Sequence, residues 1–184
     1  ALIFSCVTAT LLSAHPHIFV ATKFELIVDH SGQLTDVRVT WEYDELYSLL
    51  ITEDRSLDPD GDGLLTEAEI GELKGFDMQW TDGFNGDLVI AEGDTRVTLS
   101  GPRDITVTFA DGRITTTHVR ALIKPISPGE PVKINAHDPT FYTAYKYTTP
   151  VTGESALSCE KPRTVLETNY GQAGIHPLRA PIDA

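Results

Sequence analysis

Two stretches near the amino end alternate apolar and polar residues with period two. Over 18–28, Ile18, Val20, Phe24, Leu26 and Val28 share one face, with Lys23 and Glu25 on the other. Over 34–43, Val37, Val39, Trp41 and Tyr43 oppose Asp36, Arg38, Thr40 and Glu42. The D-H-S-G link between them is rich in turn residues, so the pair predicts a β-hairpin with one buried face. Further alternating runs at 94–99, 104–109, 113–123, 132–137 and 141–147 predict more strands, with A-D-G at 110–112 as a tight turn. Residues 44–54 (D-E-L-Y-S-L-L-I-T-E-D) instead carry apolar residues at helical spacing. The run 80–87 (W-T-D-G-F-N-G-D) reads as a loop, and no internal repeat is legible. From Pro150 onward prolines punctuate a weakly periodic stretch, which predicts an extended segment draped on the surface.

Between the helical stretch and the later strands lies D-P-D-G-D-G-L-L-T-E-A-E, residues 58–69. Asp58, Asp60 and Asp62 occupy positions 1, 3 and 5 of an EF-hand calcium loop, with Gly63 at the turning position 6. Leu64 at position 7 offers its carbonyl, Thr66 at position 9 ligates directly or through water, and Glu69 at position 12 closes the shell. Four carboxylates so close repel one another unless a hard cation lies among them. Ca²⁺ is therefore the expected ion, bound weakly and structurally, because a second loop of this kind is absent from the sequence. Thr66 and Glu69 also form a capping-box pattern, which predicts an exiting helix over 66–76. The expected fold is α+β: a β-rich, antiparallel, sandwich-like single domain with an inserted helix–EF-hand loop–helix. Residues 15–149 would form the metal-binding body and 150–184 the extended carboxy-terminal segment.

The chain has 184 residues, with 27 acidic against 14 basic side chains and a net charge of −13. That balance repels nucleic acid and anionic lipid and favours cations. Residues 1–14 (A-L-I-F-S-C-V-T-A-T-L-L-S-A) are an uncharged apolar run too short to span a bilayer. They read as the remnant of a secretory signal cleaved after Ala14, which implies export to the periplasm and no membrane insertion afterwards. Cleavage would remove Cys6 and leave Cys159 without an internal disulfide partner.

The same cleavage would make His15 the amino terminus, followed by Pro16 and His17. An α-amine and two imidazoles suit a borderline metal, Zn²⁺ first, with Ni²⁺, Co²⁺ and Cu²⁺ as alternatives. Pro16 has no N–H to lose, so a square-planar chelate through backbone amides is blocked. Body residues would have to complete the shell, and His118, His137, Glu42, Asp44 and Asp138 are the donors near strand ends or within strands. His30, His118 and His176 read individually as ordinary surface or hydrogen-bonded histidines.

Four motifs in order, H-P-H-I-F-V, W-E-Y-D-E-L-Y-S, D-P-D-G-D-G and D-P-T-F-Y-T-A-Y, resemble an uncharacterised bacterial periplasmic family. It is domain-of-unknown-function family 1007, described as a periplasmic component of an ABC-type transport system. The likeness covers residues 15–162. It implies a periplasmic protein that accompanies nickel/cobalt-type membrane exporters or permeases. His15 and His17 match the family's opening His-Pro-His, and Asp58, Asp60, Asp62 and Glu69 match its acidic loop. His137 stands where the family is expected to carry Tyr.

Two functions fit these readings. One is a non-enzymatic accessory protein that binds a transition metal through His15, His17 and His137 and exchanges it with a membrane transporter, with Ca²⁺ holding the scaffold. The other is a calcium-stabilised interaction module without transition-metal function. A secreted metalloenzyme ranks below both, because no nucleophile arrangement is legible.

Overall fold

A computed structural model describes residues 16–127 and 132–148, together with the backbone of three short strands beyond them. The elements run β1 (Ile18–Val28), β2 (Leu34–Tyr43), α1 (Glu45–Asp54), α2 (Glu67–Glu72), β3 (Leu88–Glu92), β4 (Thr95–Arg96) and β5 (Arg103–Ala110). They continue as β6 (Arg113–Ile126), β7 (Val132–Ala136), β8 (Thr143–Tyr147), β9 (Thr152–Gly153), β10 (Ser158–Cys159) and β11 (His176–Arg179). One sheet has the order β5-β6-β2-β1-β8, with β9 also on β1, and the other has the order β10-β11-β7-β3-β4.

The expected hairpin forms, with Val20 opposite Tyr43, Phe24 opposite Val39 and Leu26 opposite Val37. Asp29 caps its turn by accepting from the Ser31 and Gln33 amides. The β5–β6 turn uses Asp111 and Gly112 at φ 52° and 71°, the pair of positive dihedrals that a two-residue hairpin needs. The sheet is not purely antiparallel, however. β8 returns to lie parallel to β1, with Ile18 opposite Thr143 and Thr22 opposite Tyr147. Period-two alternation fixes which face a strand buries but not the direction of its neighbour, so this pairing had no local signal.

Both sheets contribute to one core, in which Val20, Phe24, Val37 and Val39 meet Leu88, Ile90, Val132 and Ile134. Polar contacts tie the sheets as well. Tyr147 donates to Asn135 Oδ1 and accepts from the Ala136 amide, and Tyr145 donates to Asp87 at 2.8 Å. β3 was not expected from the sequence. The run expected at 94–99 shrinks to the two-residue β4, and the stretch after Pro150 supplies β9, β10 and β11.

The inner face of β6 holds the least expected residues. Thr116, His118 and Arg120 are all buried there. The expectation of a surface or hydrogen-bonded His118 is corrected: its side chain is fully buried, and neither ring nitrogen has a hydrogen-bond partner. It lies between two indoles, with ring centroids 5.0 Å from Trp41 and 5.9 Å from Trp80. Arg120 stacks on Trp80 at 4.7 Å and donates to the carbonyls of Ser100 and Asn85 and to Asn85 Oδ1. This clamp fastens the 76–88 loop over the sheet.

α1 forms where helical spacing predicts it, and its capping and inward contacts fix its orientation. Its N-cap is Asp44, whose Oδ1 accepts from the Tyr47 amide. Ser48 and Thr52 face inward, and Ser48 Oγ accepts from the Ile114 amide at 3.0 Å. The leucines at 46, 49 and 50 point outward. α2 is shorter than expected, and its chain continues through tight turns to Phe76, Asp77 and Trp80.

Candidate metal centre

The stretch from α1 to α2 supplies the acidic loop. α1 ends with Arg55 as its C-cap, and Ser56 and Asp58 then take positive φ of 55° and 58°. Gly61 and Gly63 follow at φ 69° and 77°. The loop thus curls tightly, and its amides turn inward. The Asp62 and Gly63 amides each donate to the Asp58 carboxylate at 3.0 Å, and the Leu64 amide donates to Asp62 Oδ1 at 2.8 Å. Oxygens of Asp58, Asp60 and Asp62 come within 4.8 Å of one another, a grouping able to hold a metal ion. The Asp60 carboxyl is held above the usual carboxylate range by its side-chain hydrogen bond to Asp58 and by the Asp62 charge.

Glu69 and Thr66 stand outside that group. Glu69 Oε2 accepts from the Thr66 amide and hydroxyl at 2.7 Å, while Thr66 Oγ1 accepts from the Glu69 amide. The capping box is therefore present as expected. Glu69 Oε1 accepts from the Asp58 amide at 3.1 Å, which keeps the carboxylate at the mouth of the loop. These bonds hold Glu69 below the usual carboxylate range. Leu64 projects its side chain to solvent. The incoming helix also stops short of the loop, because residues 55–57 separate its last turn from Asp58.

The histidine candidates divide. His15 lies outside the described residues, as do residues 1–14 with Cys6. His17 is exposed, its amide donates to the Tyr142 carbonyl, and its ring lies 5.0 Å from the Tyr142 ring. The 137–142 turn that carries Tyr142 begins with His137, whose Nδ1 is buried without a partner and whose ring meets Phe141 edge-on. His17 and His137 are thus brought to one end of the body, although no ligand triad forms around them among the described residues. Asp44 is occupied by the Phe19 and Tyr47 amides, and Asp138 by Thr140 and Thr143. Glu42 is exposed on the outer face of β2. Buried His118 lies in the sheet interior, away from any surface shell.

Sequence reasoning missed Asp77 and Asp87. Asp77 accepts from Tyr43 and Thr116, and burial pushes its carboxyl upward against those bonds. Asp87 is raised chiefly by burial and partly by the Asp138 charge, and it is lowered by the Tyr145 bond and by His137. Both stand in irregular segments between elements, where no period marks burial.

The model of a family described as "Protein of unknown function (DUF1007)" matches residues 1–171. The chain belongs to that family. The match takes in the hairpin, the acidic loop, both helices and the 137–142 turn, and it runs past the end of the motif likeness at 162. A comparison with curated proteins found no match. Among the described residues of this family member, no helix is long and apolar enough to cross a membrane.

Proposed function

We propose that this member of the family is an exported, non-enzymatic metal-binding accessory protein. Ca²⁺ occupies the 58–69 loop as a structural ion. A transition metal, Zn²⁺ by ligand type, with Ni²⁺ or Co²⁺ next, is held by His15 and His17 with His137. That metal is exchanged with a membrane transporter on the periplasmic side. The supporting observation is the convergence of Asp58, Asp60 and Asp62 on a loop whose glycines adopt the positive φ that a tight cation loop requires. Asp58, Asp60 and Asp62 would supply side-chain oxygens, and Glu69 stands close enough to the loop entrance to join after releasing its Thr66 bonds. The proximity of His17 to the His137-bearing turn supports the second ion.

Elemental analysis of protein purified from its own compartment tests the reading. Calcium plus one transition metal, each near equimolar, is expected, and replacing His15 and His17 with Ala should remove the transition metal and leave the calcium. Neither metal above the buffer background would overturn it. A second reading is a calcium-stabilised interaction module with no transition metal, and the outward leucines of α1 favour it. Calcium alone in the analysis would select that reading.

A further inference from the structure

α1 is a ten-residue helix whose inward face, Tyr47, Ser48, Ile51 and Thr52, packs on the body while three leucines face outward. Leu46, Leu49 and Leu50 are 64%, 52% and 57% exposed. Their i, i+3, i+4 spacing makes one continuous stripe. Beside the stripe runs a groove of about 310 Å³ between α1, the acidic loop and the β5–β6 turn. Its floor is Leu49, Leu65 and Phe109, and its rim carries Glu45, Asp58 and Asp111. One rim charge already has a cation, since Arg113 pairs with Glu45 at 2.9 Å, which leaves Asp58 and Asp111 as the rim carboxylates without an ion pair among the described residues. Arg55 is turned away, donating to the Glu72 carbonyl and stacking on Phe76. An apolar strip bounded by carboxylates selects for apolar groups flanked by basic ones.

We propose that α1 and this groove dock a segment of another protein that carries leucine-type side chains on one face and Lys or Arg beside them. The proposal rests on the interaction reading and not on any bound metal. Leu49 would be its centre, since it belongs both to the helix stripe and to the groove. Charge complementarity argues for a basic partner over a second copy of this chain, whose net charge of −13 would oppose self-association through an acidic rim. It argues equally against an anionic lipid surface.

A labelled amphipathic peptide, with leucines on one helical face and lysines on the other, tests this by anisotropy with the full chain in EDTA. Working without calcium keeps the outcome separate from the fate of the metal reading. Saturable binding is expected. The double variant Leu49→Ser/Leu50→Ser should weaken it about tenfold, as loss of a central anchor does. Ile123→Ser, exposed elsewhere on β6, should leave it unchanged. A peptide with glutamate for lysine should not bind. Circular dichroism on the variants checks that the exposed substitutions leave the fold intact. Three results would overturn the proposal: no binding to the Leu/Lys peptide, equal binding by the double variant, or equal binding of a Lys/Ala peptide, which would reduce the effect to bare charge. Sedimentation of a dimer abolished by the double variant would also overturn it, in favour of a second copy.

Discussion

Gly63 and Gly86 both hold positive φ, yet for different reasons. At Gly63 (φ 77°) no atom lies within 4 Å of where a Cβ would be, so only the backbone conformation resists substitution. Gly63→Ala should therefore destabilise by about 1 kcal/mol, the cost of the left-handed region alone. At Gly86 (φ 65°) a Cβ would fall 2.4 Å from the Trp80 ring and 3.1 Å from Arg120. Gly86→Ala should cost about 3 kcal/mol, because strain adds to a clash with a packed indole. Urea denaturation of the two variants checks the difference. Equal losses would mean that the Trp80–Arg120 clamp yields freely. The carboxylates offer a third contrast. Asp60 belongs to the clustered group while Asp104 does not, so Asp60→Asn should weaken calcium binding about tenfold or more and Asp104→Asn should leave it unchanged. Isothermal titration with calcium reads both.

β6 and α1 show how an element's own chemistry sets its behaviour. His118 sits in a buried site beside the Arg120 guanidinium. Burial and, secondarily, that positive charge lower its pKa from the ordinary 6.5 to about 4. The folded state thus favours the neutral ring. The stabilisation of the neutral form is complete above pH 6.5 and is lost as pH falls through about 4, where the core must accept a second cation. The difference amounts to about 3 kcal/mol across that window. His118→Phe should flatten that part of the stability profile, although it leaves the acid loss from surface carboxylates in place. A parallel decline in variant and wild type between pH 6.5 and 4 would show that His118 does not carry it. These two elements also mark the limit of what was legible. On β1 and β2 large apolar residues alternate with charged ones, so the buried face was plain. On β6 the buried row is Thr116, His118 and Arg120, and its partners come from far along the chain: Asp77 for Thr116, the Trp41 and Trp80 indoles around His118, and Trp80, Asn85 and the Ser100 carbonyl for Arg120. On α1 helical spacing marked the helix but not which face it buries. Ser48 faces in because its hydroxyl accepts the Ile114 amide at the start of β6, a partner 66 residues away.

At the scale of the molecule, the hairpin, the tight β5–β6 turn, the capping box and the three clustered aspartates could all be read from the chain, because each is a local pattern. The parallel return of β8, the second sheet and the approach of His17 to the 137–142 turn are long-range pairings without a period or motif of their own. That approach sets His17 against Tyr142 of the turn. The acidic loop is nevertheless tied to the body at both ends, since it links α1, which is braced on β6, to α2 and the segment leading to the Trp80 clamp. Filling the loop should therefore stabilise the entire body and not merely order one turn. An extracellular-type affinity of about 10⁻⁴–10⁻³ M, with calcium at about 10 mM, would add about 1.4–2.7 kcal/mol. For a domain of this size the melting temperature should rise by about 3–10 °C.

The most direct measurement is differential scanning calorimetry of thoroughly demetallated protein with and without calcium, beside the Asp60→Asn variant and a magnesium control. The account predicts a rise of that size in wild type, a much smaller one in the variant, and little effect of magnesium at the same concentration. An unchanged melting temperature in wild type, or an equal rise in the variant, would contradict the claim that Asp58, Asp60 and Asp62 enclose a stabilising calcium ion.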